Sequence, residues 1–268
     1  MLINGEPGNL ISIRDRGLLY GDGVFRTFPV QNGKAMNWPL HFQKLERDCS
    51  ALGIDCPGFD VLTSELHSLS AVHTDAVFKV IVTRGQSLRG YSPDASALAT
   101  HVWDVSALPV YPGEWKKNGV KLSLCRLRLG HQPRLAGIKH LNRLENVLAS
   151  SEVVDADEGL MLDVEGRVIE GVRSNVFLVS KGVLVTPELS RCGVAGVTRD
   201  LVLASAKELG MPIEVRDVKL DELLAADELF LTNSVFGLLS ASRLAERRWT
   251  DFSHAEKMRA WLEGAGHG

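Results

Sequence analysis

Two prolines and a glycine within six residues, Leu108-Pro109-Val110-Tyr111-Pro112-Gly113, interrupt this chain near its middle. Proline lacks a backbone donor and holds φ near one value, so neither a helix nor an inner strand runs through such a stretch. At 268 residues the chain also exceeds what one hydrophobic core ordinarily organises. The reading is two domains: a smaller N-terminal one over 1–108, a linker over 109–115 and a larger one over 116–268.

Hydrophobic periodicity fills both halves with mixed elements. Val24–Val30, after the turn-forming Tyr20-Gly21-Asp22-Gly23, has the β-branched and aromatic content of a strand. Phe42, Leu45, Cys49 and Leu52 fall at helical spacing, with Gly53 as the stop signal. Val77–Thr83 and Leu98–Val105 read as strands, as do the alternating Val120, Leu122 and Leu124. Leu141, Leu144 and Leu148 line one face of a helix. Leu160–Val164, Asn175–Val179, Val183–Val185, Ile213–Val218 and Glu228–Leu231 are further strands, and a helix around Arg199–Leu209 closes at Gly210. The expected class is α/β (α+β): two mixed domains with the site in the crevice between them.

Bulk properties narrow the functions. A net charge of -3 gives no reason to expect nucleic acid or an anionic membrane as partner. No apolar run approaches the roughly 20 residues that span a bilayer, and Met1-Leu2-Ile3-Asn4-Gly5 lacks the pattern of a secretory signal. Cys49, Cys56, Cys125 and Cys192 are scattered without a CxxC pair, so neither zinc nor a disulfide framework is expected. The expectation is a cytoplasmic protein that acts on a small molecule, without a metal.

The chemistry-bearing candidates follow from local context. Lys139, in Ala136-Gly137-Ile138-Lys139-His140-Leu141, stands among small and apolar neighbours that would desolvate its amine, lowering its pKa and freeing a nucleophilic lone pair. Glu170 follows the strand-like Arg167-Val168-Ile169; it is either a buried partner for a cationic ring nitrogen or a solvated strand-end acid. Gly193-Val194-Ala195-Gly196-Val197-Thr198 runs into a helix, and backbone N–H groups there suit a phosphate, although small residues also precede helices for packing. Thr232-Asn233-Ser234 can close the other side of a phosphate or simply form a turn. Arg84, Arg89 and Tyr91 form a donor-rich loop fit for a carboxylate, or a solvated rim.

Taken together, Tyr20-Gly21-Asp22-Gly23-Val24-Phe25-Arg26-Thr27, Arg84-Gly85 with Arg89-Gly90-Tyr91-Ser92, and Ala136 through Arg143 resemble the type IV fold of pyridoxal-phosphate enzymes, the group that contains branched-chain and D-amino-acid aminotransferases. The resemblance runs from Ile3-Asn4-Gly5 to Thr232-Asn233-Ser234. It implies pyridoxal 5'-phosphate as cofactor, Lys139 as the Schiff-base lysine and Glu170 as partner of the pyridine nitrogen. It further implies phosphate contacts from Val197, Thr198, Asn233 and Ser234. The family's His-x-x-Arg-Leu pattern reads His41-Phe42-Gln43-Lys44-Leu45 here, so Lys44 keeps the charge but loses the planar fork.

Within the group, the pieces are most similar to the lyase branch, which converts 4-amino-4-deoxychorismate to 4-aminobenzoate and pyruvate for folate biosynthesis. Thr27 stands where that branch has threonine and branched-chain aminotransferases tend to have glycine. The resemblance therefore implies Lys139 and Thr27 as catalytic residues, Arg89, Tyr91 and Arg84 as substrate-binding candidates, and a homodimer. An aminotransferase on the same scaffold and a cofactor-free binding protein are the alternatives.

Overall fold

A computed structural model of the chain describes residues 1–94 and 97–267. The chain divides into two compact units: Met1–Pro109 with Lys139–Asn142, and Val110–Ile138 with Arg143–Gly268.

The first unit contains strands β1 (Leu2–Ile3), β2 (Glu6–Pro7), β3 (Gly23–Gln31), β4 (Lys34–Ala35), β5 (Ala76–Thr83) and β6 (Thr100–Ala107), with helices α1 (Arg16–Tyr20), α2 (Trp38–Leu52) and α3 (Phe59–Ser70). Its sheet runs β2-β1-β6-β5-β3-β4. β3 pairs antiparallel with β5 from Gly23↔Thr83 to Val30↔Ala76. Because side chains alternate along a strand, Val24, Arg26, Phe28 and Val30 share the fully covered face, while Phe25 and Thr27 lie on the other, half-buried one. Phe28 is the hub of the apolar layer, with ring centroids 5.4 Å from Trp38, 6.3 Å from Trp103 and 6.5 Å from Phe78. α2 starts with Pro39 in its first turn and stops at Gly53, whose φ of 65° lets its N–H close on the Ser50 carbonyl.

Lys139–Asn142 joins this unit as an extra edge segment. The Phe25 N–H donates to the Lys139 carbonyl at 3.0 Å and the Leu141 N–H to the Gly23 carbonyl at 2.9 Å, flanking an antiparallel bridge between Val24 and His140. The helix expected from Leu141 therefore begins only at Leu144, because the backbone groups of 139–141 are already engaged by β3.

The second unit contains strands β7 (Val120–Leu129), β8 (Glu158–Asp163), β9 (Val168–Gly171), β10 (Asn175–Ser180), β11 (Val183–Pro187), β12 (Ile213–Arg216), β13 (Glu228–Asn233), β14 (Gly237–Leu244) and β15 (Arg247–Arg248). Its helices are α4 (Glu114–Asn118), α5 (Leu144–Ser151), α6 (Val197–Glu208), α7 (Leu220–Ala225) and α8 (Ser253–Gly264). The strand order is β12-β11-β10-β13-β14-β7-β8-β9. β9 also reaches β10 through the pair Asn175↔Glu170, so six strands close into a ring. One core cluster gathers Val120, Leu160, Val176, Leu178, Leu229 and Leu231. A second packs α6 and α8 on Phe177 and Phe230, whose rings stack 5.2 Å apart. The stretch expected as a linker is packed in this unit: Tyr111 stacks on Trp115 at 5.4 Å and meets Phe236 edge-on at 6.1 Å. No helix among the described residues is long and apolar enough to cross a membrane.

Phe28→Ala empties the hub of the first unit's apolar layer and is expected to cost about 3–5 kcal/mol. Chemical denaturation of the variant against the parent checks this; a loss under about 1 kcal/mol would mean that the neighbouring rings collapse into the gap.

Candidate functional site

In the first unit the candidate chemistry gathers around Lys139, which is half-buried. Its Nζ lies 4.7 Å from the centroid of the Phe25 ring, and Lys79 Nζ is 4.9 Å from the same ring. A cation near an aromatic face is stabilised by the ring quadrupole, so Phe25 gives the amine a defined resting place. Thr27, one alternation further along β3, lies on the same face as Phe25 and pairs across the sheet with Lys79.

Lys139's backbone is anchored on its amide side by a residue that sequence reasoning missed. Asp48, fully buried on α2, accepts the Lys139 N–H at 2.9 Å through Oδ2. The same oxygen is paired with the guanidinium of Arg26, itself 2% exposed. Arg26 Nη2 also donates to the Lys44 carbonyl at 3.2 Å, and Asp48 Oδ1 takes Arg47 Nη2 at 3.0 Å. A signal was present: Arg26 falls in the inward register of β3, and Asp48 falls among His41, Leu45, Cys49 and Leu52 on the inward stripe of α2. Opposite charges on two core-facing stripes imply a buried pair.

His41 completes this group. Its ring lies 4.9 Å from that of Phe28, and both ring nitrogens are buried without a hydrogen-bond partner. Burial above all, then the positive charges of Arg26, Lys139 and Lys44, pushes its pKa down to about 3. Lys44, expected to hold a phosphate, is buried within the same cationic group.

Arg84 is turned to structural use. Its Nε and Nη2 bond the Asp22 carboxylate at 2.8 and 3.1 Å, and Nη2 also bonds the Leu52 carbonyl at 2.7 Å. Burial tends to raise the Asp22 pKa, but Arg84 and Arg16 outweigh it and hold the carboxyl below its ordinary value. Arg84 thereby clamps the 21–22 turn to the end of α2, and its donors are spent there rather than on a substrate. Arg89 and Tyr91 are exposed, Tyr91 by 86%. Arg16 holds their loop by bonding the Gly90 and Tyr91 carbonyls at 3.0 and 2.7 Å, and the Tyr91 ring lies 5.4 Å from Tyr20.

In the second unit Glu170 on β9 and Asn175 on β10 are cross-strand partners. Both are buried, and both grip the loop before α6. Glu170 Oε2 accepts the Val194 N–H at 2.8 Å. Asn175 donates to the Val194 carbonyl at 2.7 Å and accepts the Gly196 N–H at 3.1 Å. A Cβ at Gly196 would stand 2.5 Å from Asn175 Oδ1, and Gly193 holds a φ of 86°. Those two glycines are what let the loop close so tightly. The loop ends at Val197, the first residue of twelve-residue α6, where a helix presents unsatisfied N–H groups and a positive dipole end.

The Thr198 hydroxyl lies 3.3 Å from that of Ser234, so two of the expected phosphate contacts converge. Asn233 does not join them through its side chain. Its Oδ1 accepts the Val235 and Phe236 N–H groups at 2.9 and 2.8 Å, and Nδ2 donates to the Arg173 carbonyl, which makes it the former of the β13–β14 turn.

A further cluster, His131, Asp163 and Cys192, brings three potential ligand atoms within 4.8 Å of one another. Arg167 bonds both Asp163 at 2.8 Å and His131 at 3.2 Å, so a guanidinium already supplies the positive charge. Burial first, then Asp163 and Glu170, pushes the Cys192 thiol up to about 12. His131, Asp163 and Arg167 thus form one ion-pair and hydrogen-bond network.

Four similarities bear on these residues. The family model for amino-transferase class IV matches residues 23–244. The crystal structure of 4-amino-4-deoxychorismate lyase from Pseudomonas aeruginosa superposes with a TM-score of 0.96 at 45% identity, covering 100% of this chain and 99% of that one. An aminodeoxychorismate lyase from Vibrio harveyi is 35% identical over 91% of this chain and 90% of its own length. A D-alanine aminotransferase from Bacillus licheniformis is 30% identical over 84% and 79% respectively.

His41 is expected to make stability acid-sensitive. Its folded pKa of about 3 lies below the ordinary 6.5, so the unfolded chain binds the extra proton first. The neutral ring's contribution is complete above about 6.5, declines as pH falls and is gone below about 3. His41→Gln should flatten the unfolding free energy between those limits, and an unchanged pH slope would show the ring to be titrating normally.

Proposed function

We propose that this chain, which belongs to the amino-transferase class IV family, is a pyridoxal-phosphate-dependent lyase that converts 4-amino-4-deoxychorismate to 4-aminobenzoate and pyruvate. Its fold is the type IV fold of pyridoxal-phosphate enzymes. The observation that carries the reading is Lys139 Nζ resting on the Phe25 ring, on the face of β3 that also bears Thr27, in a chain 45% identical over its full length to a lyase of that name.

The residues fit the cofactor. Lys139 would hold its aldehyde carbon through Nζ, and Glu170, fixed by the Val194 N–H, would face its ring nitrogen. The N-terminus of α6 with the Val197 and Thr198 N–H groups and the Thr198 and Ser234 hydroxyls would receive the phosphate. When bound, pyridoxal phosphate supplies an electron sink that lets the bond from hydrogen to the amine-bearing carbon break heterolytically.

The chain's own groups do the rest. Lys139 Nζ, free as an amine once the substrate's own amine has replaced it, takes the proton from the amine-bearing ring carbon of the substrate. The enolpyruvyl oxygen leaves as the ring becomes aromatic, which supplies the driving force. Lys139 and the Thr27 hydroxyl hand a proton to the methylene carbon, giving pyruvate. Glu170 keeps a negative charge where the ring nitrogen must stay protonated. Arg89 is the proposed carboxylate ligand and Tyr91 its neighbour, since Arg84 is committed to Asp22.

Purified protein incubated with 4-amino-4-deoxychorismate is expected to release 4-aminobenzoate and pyruvate with no keto acid added. Lys139→Ala should abolish release, and Thr27→Gly should lose it with cofactor still bound. A strict requirement for a keto-acid acceptor would move the assignment to transamination, as in the D-alanine aminotransferase relative, and failure of the protein to take up cofactor would leave a binding protein.

The reading includes a cytoplasmic enzyme that works as a homodimer. Leu144, Val147 and Leu148 on one face of α5 are 74, 59 and 57% exposed, a spacing that a second copy can cover. Sedimentation of the purified protein at the mass of one chain would remove this part.

A further inference from the structure

We propose that Asp48, held in place by Arg26, is a positioning residue for Lys139. The inference rests on the reading of Lys139 as the reactive amine and adds how that amine is kept in place.

Three main-chain contacts fix the segment around the lysine. The Lys139 carbonyl and the Leu141 N–H are bonded to β3 by its own backbone, which any sequence could supply. The third, the Lys139 N–H, is received by a side chain, Asp48 Oδ2, at 2.9 Å. This is the contact that depends on residue identity. It crosses 91 residues of sequence and ends on a carboxylate that is 0% exposed. Hydrogen bonds to a charged acceptor are among the stronger ones, and a carboxylate taken this far out of water is held there by a paired cation.

Arg26 is that cation. Its guanidinium engages the same Oδ2 and the Lys44 carbonyl, so it locks Asp48 against α2 as well as neutralising it. β3 thus sends alternate side chains to the two sides of one problem. Arg26 holds the backbone clamp from the covered face, and Phe25 supports Nζ from the other. An amine displaced by an ångström loses its alignment with the bond it must deprotonate, so the clamp acts on rate rather than on substrate affinity.

Amide hydrogen exchange in the cofactor-free protein tests the clamp directly. Asp48→Asn is expected to speed exchange at Lys139 by on the order of tenfold, since the acceptor it leaves carries no charge and the bond is weakened accordingly. The Phe25 and Leu141 amides, which bond backbone carbonyls, should change much less. In the loaded enzyme the same variant should lower kcat with KM nearly unchanged. If Asp48→Asn fails to fold, the paired change Arg26→Met with Asp48→Leu removes both charges together, an exchange that buried ion pairs often tolerate. It should keep the fold and still release the Lys139 amide.

Parent-like protection at Lys139 in a folded variant overturns the proposal, as does equal loss at all three amides. The exchange readout stands apart from the enzymatic one. If Lys139→Ala keeps full turnover, the reactive-amine reading falls, whereas the exchange pattern alone decides whether Asp48 holds this backbone.

Discussion

Two backbone hydrogen bonds, from Phe25 to Lys139 and from Leu141 to Gly23, decide what the first unit is. They add a segment from the middle of the chain to the outer edge of β3, where a bare edge would otherwise offer unpaired groups. Every other feature near Lys139 follows from that graft. Phe25 meets the amine because it lies opposite the added segment, Asp48 can reach the remaining N–H, and His41 is enclosed beside three cations.

The electrostatic arrangement is unusual for a core. Arg26, Lys44 and Lys139 act together on the neutral His41, and Asp48 sits fully buried in the midst of them. The second unit instead brings together the N-terminal end of α6, two hydroxyls and two closely packed glycines.

Much of this was legible in the residues. The strand Val24–Val30, the helix ending at Gly53 and the helix leading to Gly210 were set by local pattern, and the class IV resemblance was carried by short segments whose spacing is kept. The helix expected from Leu141 starts only at Leu144 because tertiary pairing with β3 outcompeted the apolar spacing of Leu141, Leu144 and Leu148, which instead leaves the latter two exposed. Arg84 and Asn233 drew attention for their donors, but sequence cannot say whether donors are already engaged; here Asp22 and the 235–236 amides engage them. Asp48 and Arg26 stayed hidden because each looks ordinary alone, and only the strand and helix registers read together make them a pair.

The membership of 139–142 has a topological consequence. No single cut of the polypeptide separates the two units, since a fragment ending at Pro109 lacks the piece that completes its sheet, and one beginning at Val110 carries that piece away. Fragment complementation or domain exchange between relatives would thus have to transplant a four-residue insert along with the N-terminal half. Lys139 travels with the body that supports it rather than with its neighbours in sequence.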